Sequence, residues 1–471
     1  MRRALLLLIP LVLAGSAIAA PAQPGFFQPK EIVSHNGVFK ATLTFAKGTA
    51  IVNGRPVQNM MTVNGMYPGP TLKMQPGDHV EITLINKLPD PTNFHFHGFR
   101  VTPANLGDNV LRMMAPAVTT KELKSGNKYK ISFTIPKDHQ QGLYWYHPHM
   151  HEYVDLEVYS GIAGMIEVGD PLHDLPAVKG VPERDMAITA LQVTPGGKLN
   201  MDPAVHGEMN LVNGRLKPTL HIRPGETQLW RVANISDGNW YKLRLPGHVF
   251  HVIGYDGNPV PYRADRNWVL LAPGNRVEFL IQGGKPGVYK LKSLNFNEGF
   301  DKFGQITLAN VVVSGAPETP RALPSLISPT ELREQQNTLN DDLVDKHTLT
   351  FSIDNPFPKN NFGFRINGKL FNPNRVDITS YLNTTEEWTL RNTSFEFHPF
   401  HIHTNDFLIE KVNGKPVPID GFHDTVPIPP HGSVVIRMRF RTFTGRAVFH
   451  CHILFHEDHG MMGIIQFKKR S

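Results

Sequence analysis

The stretch VNGMYPGPTLKMQPGDHVEITLIN, residues 63–86, carries the pattern on which the fold prediction rests. Residues 212–234 repeat it as VNGRLKPTLHIRPGETQLWRVAN, and the spacing from the leucine of Pro-Thr-Leu to the last asparagine is identical. A weaker copy begins at Ile366-Asn367-Gly368 and ends at Asn392. Because the copies begin 149 and 154 residues apart, the chain is predicted to contain three domains of one kind rather than one large core.

Each copy consists of short β-branched and aromatic runs separated by Gly, Pro and Asn. The runs 80–85 and 129–135 alternate apolar and polar residues as half-buried strands do. The chain of 471 residues has 40 Gly and 39 Pro, which favours a turn-rich β protein. The sequence therefore predicts an all-β protein in which each domain is an antiparallel β-sandwich or Greek-key barrel.

The predicted domains cover residues 21–170, 171–315 and 316–471. Two Pro-bearing stretches, 170–182 and 314–346, are the predicted linkers. Within the second linker, the sequence Ser-Pro-Thr-Glu beginning at Ser328 predicts the start of a short helix.

Residues 1–20 have the pattern of a secretory signal peptide. Arg2 and Arg3 precede an apolar run, and the residues Ala17-Ile18-Ala19 fit a cleavage site. The apolar run is too short to span a bilayer, so we expect a periplasmic or secreted protein with no membrane attachment after the peptide is removed. The formal charge of +7 includes no polybasic stretch, which gives nucleic-acid binding no support. The choice between the general and the twin-arginine export route stays open.

Histidines form four tight pairs whose members are two residues apart. On a strand such residues face the same side, so each pair directs two imidazoles to one point. The first histidine of two pairs lies nine residues after a repeat asparagine, and that of the other two lies five residues after a glycine. The pairs thus occupy two equivalent positions in domains 1 and 3, and domain 2 has none. We expect these eight imidazoles to meet at one interface: His95, His97, His147, His149, His401, His403, His450 and His452.

The type of side chain in these clusters indicates the metal. Eight imidazoles without carboxylates favour copper over calcium or magnesium, and they are too many for one tetrahedral zinc. A second set contains His398, Cys451, His456 and Met461. Two imidazoles, one thiolate and one weak thioether are the ligands of a blue-copper site. Domain 1 has Pro148 where domain 3 has Cys451, so only domain 3 can form this second site.

Taken together, these motifs resemble those of the three-domain multicopper oxidases of the bacterial laccase group, over essentially the whole chain after the leader. The matching segments are residues 95–98, 147–149, 398–403 and 450–461. The resemblance implies three cupredoxin-like domains and four coppers per chain. The implied ligands are His398, Cys451, His456 and Met461 for type 1 copper, His95 and His401 for type 2, His97, His147 and His452 for one type 3 copper, and His149, His403 and His450 for the other.

The resemblance also implies an activity. Phenols or aromatic amines would each give one electron to the type 1 site, and four electrons would reduce dioxygen to water at the three-copper cluster. Cys451 lies between His450 and His452 in the chain, so a short bonded path joins the two sites. Asp108 and Glu457 are the expected catalytic acids that supply protons, and the alternative for each is a solvated loop carboxylate.

Two other functions are weighed against this one. An oxidase of cuprous or manganous ions would use the same copper ligands with a different donor. A non-enzymatic copper-binding cupredoxin protein is the alternative outside the enzyme class, although degenerate scaffolds lose ligands and every ligand position is filled here. The physiological donor, the oligomeric state and the copper-loading pathway stay open.

Overall fold

The computed structural model describes residues 25–116, 127–201, 208–354 and 363–470. The predicted signal peptide, residues 1–20, lies outside these ranges. Within them the chain is built from strands with three short helices, which confirms the all-β prediction. The longest of these helices has 12 residues, and none in the described part of the chain is long and apolar enough to cross a bilayer.

Two sheets and one helix form the first unit. The four-stranded sheet has the order β3-β2-β5-β7, and the five-stranded sheet has the order β1-β4-β9-β8-β6. The elements are β1 Glu31–Val33, β2 Val38–Val52, β3 Arg55–Val63, β4 Thr71–Met74, β5 His79–Asn86, β6 His95–His97, β7 Lys128–Thr134, β8 Gly142–His147, α1 Val154–Tyr159 and β9 Gly164–Val168. The inward side chains of the two sheets form one apolar core.

The second unit repeats this arrangement with its own core. A six-stranded sheet, β11-β10-β13-β18-β15-β16, faces the five strands β12-β22-β19-β14-β17. The elements are β10 Glu183–Leu191, β11 Met209–Val212, β12 Thr219–Ile222, β13 Thr227–Asn234, β14 Tyr241–Arg244, β15 Phe250–Tyr255, β16 Asn258–Arg266, β17 Val269–Leu271, β18 Arg276–Gln282, β19 Gly287–Leu294, β20 Phe296–Asn297, β21 Lys302–Phe303 and β22 Ile306–Val313. The short strands β20 and β21 pair separately.

The third unit has the same two-layer form. Its sheets have the orders β24-β23-β26-β31-β28-β29 and β25-β33-β32-β27-β30. The elements are α2 Pro329–Asn340, β23 Leu343–Ile353, β24 Phe364–Ile366, β25 Ile378–Tyr381, β26 Thr384–Asn392, β27 His398–Ile402, β28 Leu408–Val412, β29 Lys415–Pro416, β30 Thr425–Ile428, β31 Ser433–Phe440, β32 Gly445–Cys451, α3 Leu454–Asp458 and β33 Met462–Lys468. We propose 21–170, 171–315 and 316–471 as the domain bounds because each pair of sheets falls inside one of these ranges.

The second predicted linker contains the helix expected there. Ser328 caps α2, and its hydroxyl accepts the Glu331 N–H at 3.2 Å, which confirms the predicted helix start. Strand β23 begins at Leu343, so the predicted linker 314–346 ends too late. The reason is pairing: β23 lies parallel to β26 from its first residue, and this backbone partner is not visible in the local sequence.

The Asn-Gly of each repeat copy forms the same tight turn. Asn64, Asn213 and Asn367 have φ of 54°, 50° and 52°, and the glycine after each is also left-handed, as a two-residue hairpin turn requires. Each asparagine oxygen accepts a main-chain N–H from a neighbouring strand at 2.7–2.8 Å.

The last asparagine of each copy is buried at the end of a strand and organises the loop that follows. In domain 3, Asn392 donates to the Glu396 carbonyl at 2.7 Å and accepts the Ser394 N–H at 2.8 Å. Asn86 and Asn234 bond equivalent positions in domains 1 and 2. Because this loop leads to a histidine pair in domains 1 and 3, the constant nine-residue spacing has a structural cause.

Candidate metal centres

Two equivalent strand pairs carry the histidines. Strand β6 lies antiparallel to β8 and places His95 opposite His147. Strand β27 lies antiparallel to β32 and places His401 opposite His450. The remaining member of each pair follows two residues later on the same side, and all eight histidines are buried. The structure therefore brings together all four pairs that the sequence singles out.

Three of these histidines converge through their Nε2 atoms. His149 Nε2 lies 3.1 Å from the Nε2 atoms of both His403 and His450, and the last two are 3.3 Å apart. Nitrogen ligands about 2.0–2.1 Å from one tetrahedral ion are about 3.3–3.4 Å from each other, close to these separations. The separations fit a single metal ion placed between the three rings.

A second group contains His97, His147 and His452, whose ligand atoms lie within 4.8 Å of one another. His97 Nδ1 is 3.2 Å from His452 Nε2. His95 and His401 form a third group together with His97. The groups overlap: His97 belongs to two of them, and His95 and His403 also form one with Asp108.

The second ring nitrogen of several histidines is fixed by a hydrogen bond. Nδ1 of His95 faces Asp108 Oδ2 at 2.9 Å, Nδ1 of His147 faces the Pro148 carbonyl at 2.7 Å, and Nδ1 of His401 faces the Asp424 carbonyl at 2.8 Å. With Nδ1 as donor, Nε2 carries the lone pair. The Nε2 atoms of these rings are buried and have no hydrogen-bond partner among the described residues.

Burial also keeps these rings uncharged. It lowers the pKa of His95, His147 and His403 well below the usual value, and neighbouring histidines lower it further. A neutral imidazole is the form that binds a metal. Several neutral rings with open nitrogens are a donor set that fits copper.

A separate group surrounds the one cysteine. Cys451 Sγ lies 3.6 Å from Nδ1 of both His398 and His456. Burial raises the pKa of the Cys451 thiol well above its usual value, so the thiolate needs a cation beside it. Burial lowers the pKa of His398 to about 3, which leaves its ring neutral. These two imidazoles and one sulfur fit a single copper.

Met461 is hydrogen-bonded to Cys451 through the main chain and shares its apolar cluster. Its carbonyl accepts the Cys451 N–H at 3.0 Å, and its side chain is buried in the apolar cluster that contains Cys451. Met462 belongs to a different cluster, with Val448 and Ile464. Of these two methionines, Met461 is therefore the one that shares the surroundings of the sulfur.

The two expected catalytic acids both contact cluster histidines. Asp108 is buried, faces His95 Nδ1 and accepts the Phe96 N–H at 3.1 Å. Glu457 is fully buried, with one oxygen 3.2 Å from His149 Nδ1 and the other 3.0 Å from His450 Nδ1. The structure places neither in a solvated loop.

Sequence reasoning missed a third carboxylate at the cluster. Asp424 precedes β30, and its Oδ1 lies 3.4 Å from His97 Nε2. Its pKa is held well below the usual range because Arg276 and His401 outweigh the effect of burial. No spacing within the repeats points to Asp424, and its partner Arg276 comes from another domain.

The Nε2 side of the His456 ring faces acidic residues that the sequence did not predict as site residues. Glu396 Oε1 lies 3.3 Å from His456 Nε2, and Glu298 belongs to the adjacent loop that packs on residues 395 and 396. Burial and neighbouring carboxylates raise the pKa of Glu396 to about 8. Glu396 lies between Asn392 and His398 in the sequence, which is the one signal that could have indicated it.

A cavity of about 890 Å³ lies beside α3. Phe455, the chain neighbour of His456, lines it together with Trp240 and Tyr241. Its acidic lining includes Asp237 and Asp301.

Comparisons with known proteins agree with this architecture. Sequence models of the multicopper oxidase family match residues 44–173, 187–314 and 339–471. A multicopper oxidase of Staphylococcus haemolyticus is 30% identical over 92% of this chain and 89% of its own length. The cell division protein FtsP of Photorhabdus laumondii is 28% identical, over 89% of this chain and 88% of its own.

The solved structures include a multicopper oxidase from Campylobacter jejuni described as a metallo-oxidase. It is 26% identical, covers 95% of this chain and 96% of its own, and superposes with a TM-score of 0.81. This likeness confirms the cupredoxin-type fold. With three family models covering most of its length, the chain belongs to the multicopper oxidase family.

Proposed function

We propose that the protein couples one-electron oxidation of a reducing donor at Cys451 to the four-electron reduction of dioxygen to water at the eight-histidine cluster. The observation that carries the proposal is the set of open nitrogens around two linked centres, joined by the sequence His450-Cys451-His452. Four coppers bound to these residues would supply the one-electron steps and the dioxygen chemistry. The ligand sets are those implied by the resemblance.

The chain's own acids would manage protons at the cluster. Both oxygens of Glu457 lack a hydrogen-bond partner of good geometry among the described residues, although they face His149 and His450. Glu457 is therefore the carboxylate to which we assign proton transfer beside the dioxygen site. Asp108 holds His95 Nδ1, and we assign it a positioning role in addition to the proposed supply of protons.

The aromatic lining of the cavity beside His456 supports phenols or aromatic amines as donors. Phe300 and Phe455 line the cavity as exposed aromatic rings, and the Phe455 ring centroid lies 6.4 Å from that of His456. The acidic lining, including Asp237 and Asp301, favours a neutral or cationic donor over an anionic one.

A second donor class is favoured by one specific observation. Glu396 Oε1, 3.3 Å from His456 Nε2, and Glu298 Oε2 on the adjacent loop are buried and have no hydrogen-bond partner among the described residues. Unpaired carboxylates fit a hard metal cation such as manganous ion, whereas cuprous ion prefers sulfur ligands. A metal ion held there would be a substrate one histidine away from Cys451.

Oxygen uptake by the copper-loaded protein separates these donors. We expect oxygen uptake with dimethoxyphenol and with dimethyl-phenylenediamine. We expect the charge of Glu396 to affect chiefly the oxidation of manganous ion. Glu396→Gln should lower kcat/KM for manganous ion at least tenfold and that for the phenol much less. The control is Glu81→Gln, because Glu81 is exposed on β5. Equal losses for both donors would rule out the metal-ion site.

A non-enzymatic copper-binding role is the alternative, and the similarity to a protein named for cell division rather than for oxidation leaves room for it. A copper-loaded protein that consumes no oxygen with any donor would support that role and overturn the oxidase. We also propose a periplasmic or secreted location, which rests on the leader pattern of residues 1–20. Detection of the protein only in the cytoplasmic fraction would contradict it.

A further inference from the structure

Domain 2 has no histidine pair, yet one of its turns lies against the cluster. A Cβ added to Gly274, which has φ +86°, would be 3.0–3.1 Å from three ring atoms of His452. The next residue, Asn275, donates to the Thr425 carbonyl of domain 3 at 3.0 Å. The turn 272–276 thus forms a wall of the cluster.

Arg276 ends this turn and is fully buried. Its two terminal nitrogens donate to the two oxygens of Asp424 at 2.9 and 2.7 Å. Its Nε donates to the Leu143 carbonyl on β8, the strand that ends at His147. Nη1 also reaches the Gly274 carbonyl at 3.1 Å. One guanidinium therefore joins all three domains.

Asp424 passes this constraint to two cluster histidines. Its main-chain carbonyl accepts from His401 Nδ1 at 2.8 Å, and its Oδ1 lies 3.4 Å from His97 Nε2. The Thr425 hydroxyl donates to the same Oδ1 at 2.8 Å. His401 and His97 have their other nitrogen directed at the cluster, so the position of Asp424 fixes two ring orientations.

The residue after His97 is a glycine that leaves room for the Arg276–Asp424 ion pair. Gly98 has φ +86°, and a Cβ there would collide with Arg276 Nη2 and Asp424 Oδ2. The glycine of the His-Phe-His-Gly motif therefore has a steric reason that lies in domain 2.

We propose that Arg276 is a positioning residue of the dioxygen-reducing site, acting through Asp424 on His401 and His97, so that the copper-free domain helps to build that site. The inference rests on the proposed function and its ligand map. A planar guanidinium holds both carboxylate oxygens at once, which the single ammonium of lysine cannot do. Loss of the fork would let Asp424 turn and release the two rings from their fixed orientation.

The test compares two buried arginines of domain 2. Arg231 on β13 is also surrounded by carboxylates, with Glu167 and Glu183 each at 2.9 Å, and these partners contact no histidine of the cluster in the described structure. Arg276→Lys and Arg231→Lys make the same exchange at two buried sites, and Arg231 binds two separate carboxylates where Arg276 binds one. Copper content after dialysis against a chelator and the electron paramagnetic resonance of type 2 copper are the readouts.

We expect Arg276→Lys to retain type 2 copper about 10–100-fold more weakly than the native protein and to change its hyperfine splitting. The blue absorption should persist, and Arg231→Lys should keep both native signals. Identical type 2 signals and copper retention in the two variants would overturn the inference.

Asp424→Asn keeps the side-chain volume and decides the case if Arg276→Lys does not fold. It should alter type 2 copper in the same way, and an unchanged signal would contradict the role. Native protein without four coppers would refute the proposed function itself, whereas four coppers with insensitive variants would refute only the role of Arg276.

Discussion

At the scale of single residues, three cluster histidines use their two nitrogens differently. In His95, His147 and His401, Nδ1 is engaged by an oxygen and Nε2 is left open. The sequence predicts which histidines pair, because spacing of two on a strand is local information. It does not predict which nitrogen is free, because Asp108 and Asp424 approach from other parts of the chain.

Met461 gives a prediction about the potential of the blue site. A weak axial thioether stabilises oxidised copper relative to reduced copper, so Met461→Leu should raise the type 1 potential. The exchange conserves volume and should cost less than about 1.5 kcal/mol of stability. Redox titration of the blue band measures the change.

Met462→Leu is the matched control for this change. The Met462 side chain packs with Val448 and Ile464 and not in the apolar cluster of Cys451. The type 1 potential of this variant should therefore equal that of the native protein. A raised potential in this variant, with none in Met461→Leu, would assign the axial place to Met462.

At the scale of elements, the repeat asparagines connect strand ends to metal ligands. Ser394 Oγ lies 2.6 Å from Asn392 Oδ1 and 2.6 Å from His398 Nε2. In domain 2, Asn234 makes the same kind of loop without a ligand beyond it.

Asn392→Ala should therefore both destabilise the fold and disturb the blue band. Each buried group left unpaired costs about 1–3 kcal/mol, and His398 loses the anchored Ser394 hydroxyl. Asn234→Ala should lose comparable stability while its blue spectrum stays native. Urea unfolding and visible absorption of both variants check this. Identical spectra for the two variants would mean that Asn392 does not influence the copper site.

The strand elements were predictable and some of their limits were not. Alternating apolar residues predicted the segments that became β5 and β7, and the Ser-Pro-Thr-Glu signal predicted the start of α2. The predicted linker end at residue 346 was wrong, because β23 already begins at Leu343 and its parallel pairing with β26 is a contact between distant residues.

At the scale of the whole molecule, contacts between domains contribute site residues that could not be predicted from the sequence. Arg276 and Asp424 are separated by 148 residues, and Gly274 meets a histidine of domain 3. Repeat spacing describes each domain by itself, so it contains no signal for such contacts. The carboxylates at His456 are also divided between domains, with Glu298 in one and Glu396 in the other.

His423 joins domains 2 and 3 by charge. It lies 3.4 Å from Asp256 and 3.2 Å from Asp420. Burial alone would lower the pKa of His423, but bonds to Asp256 and Asp420 outweigh it and raise the pKa to about 10. The stability from this charge is complete below pH 6.5 and is lost as the pH rises through 10.

We therefore expect the native protein to be more stable than His423→Gln at pH 6, and the difference in unfolding free energy to shrink by pH 10. Urea unfolding at a series of pH values measures it. A difference that grows with pH would show that His423 is neutral in the folded state.

Twelve residues are proposed to form one blue site and one three-copper cluster. Metal analysis of the fully loaded chain, referred to protein concentration, measures the number of coppers that they bind. Four coppers per chain are expected. One copper per chain, or zinc alone, would contradict this assignment.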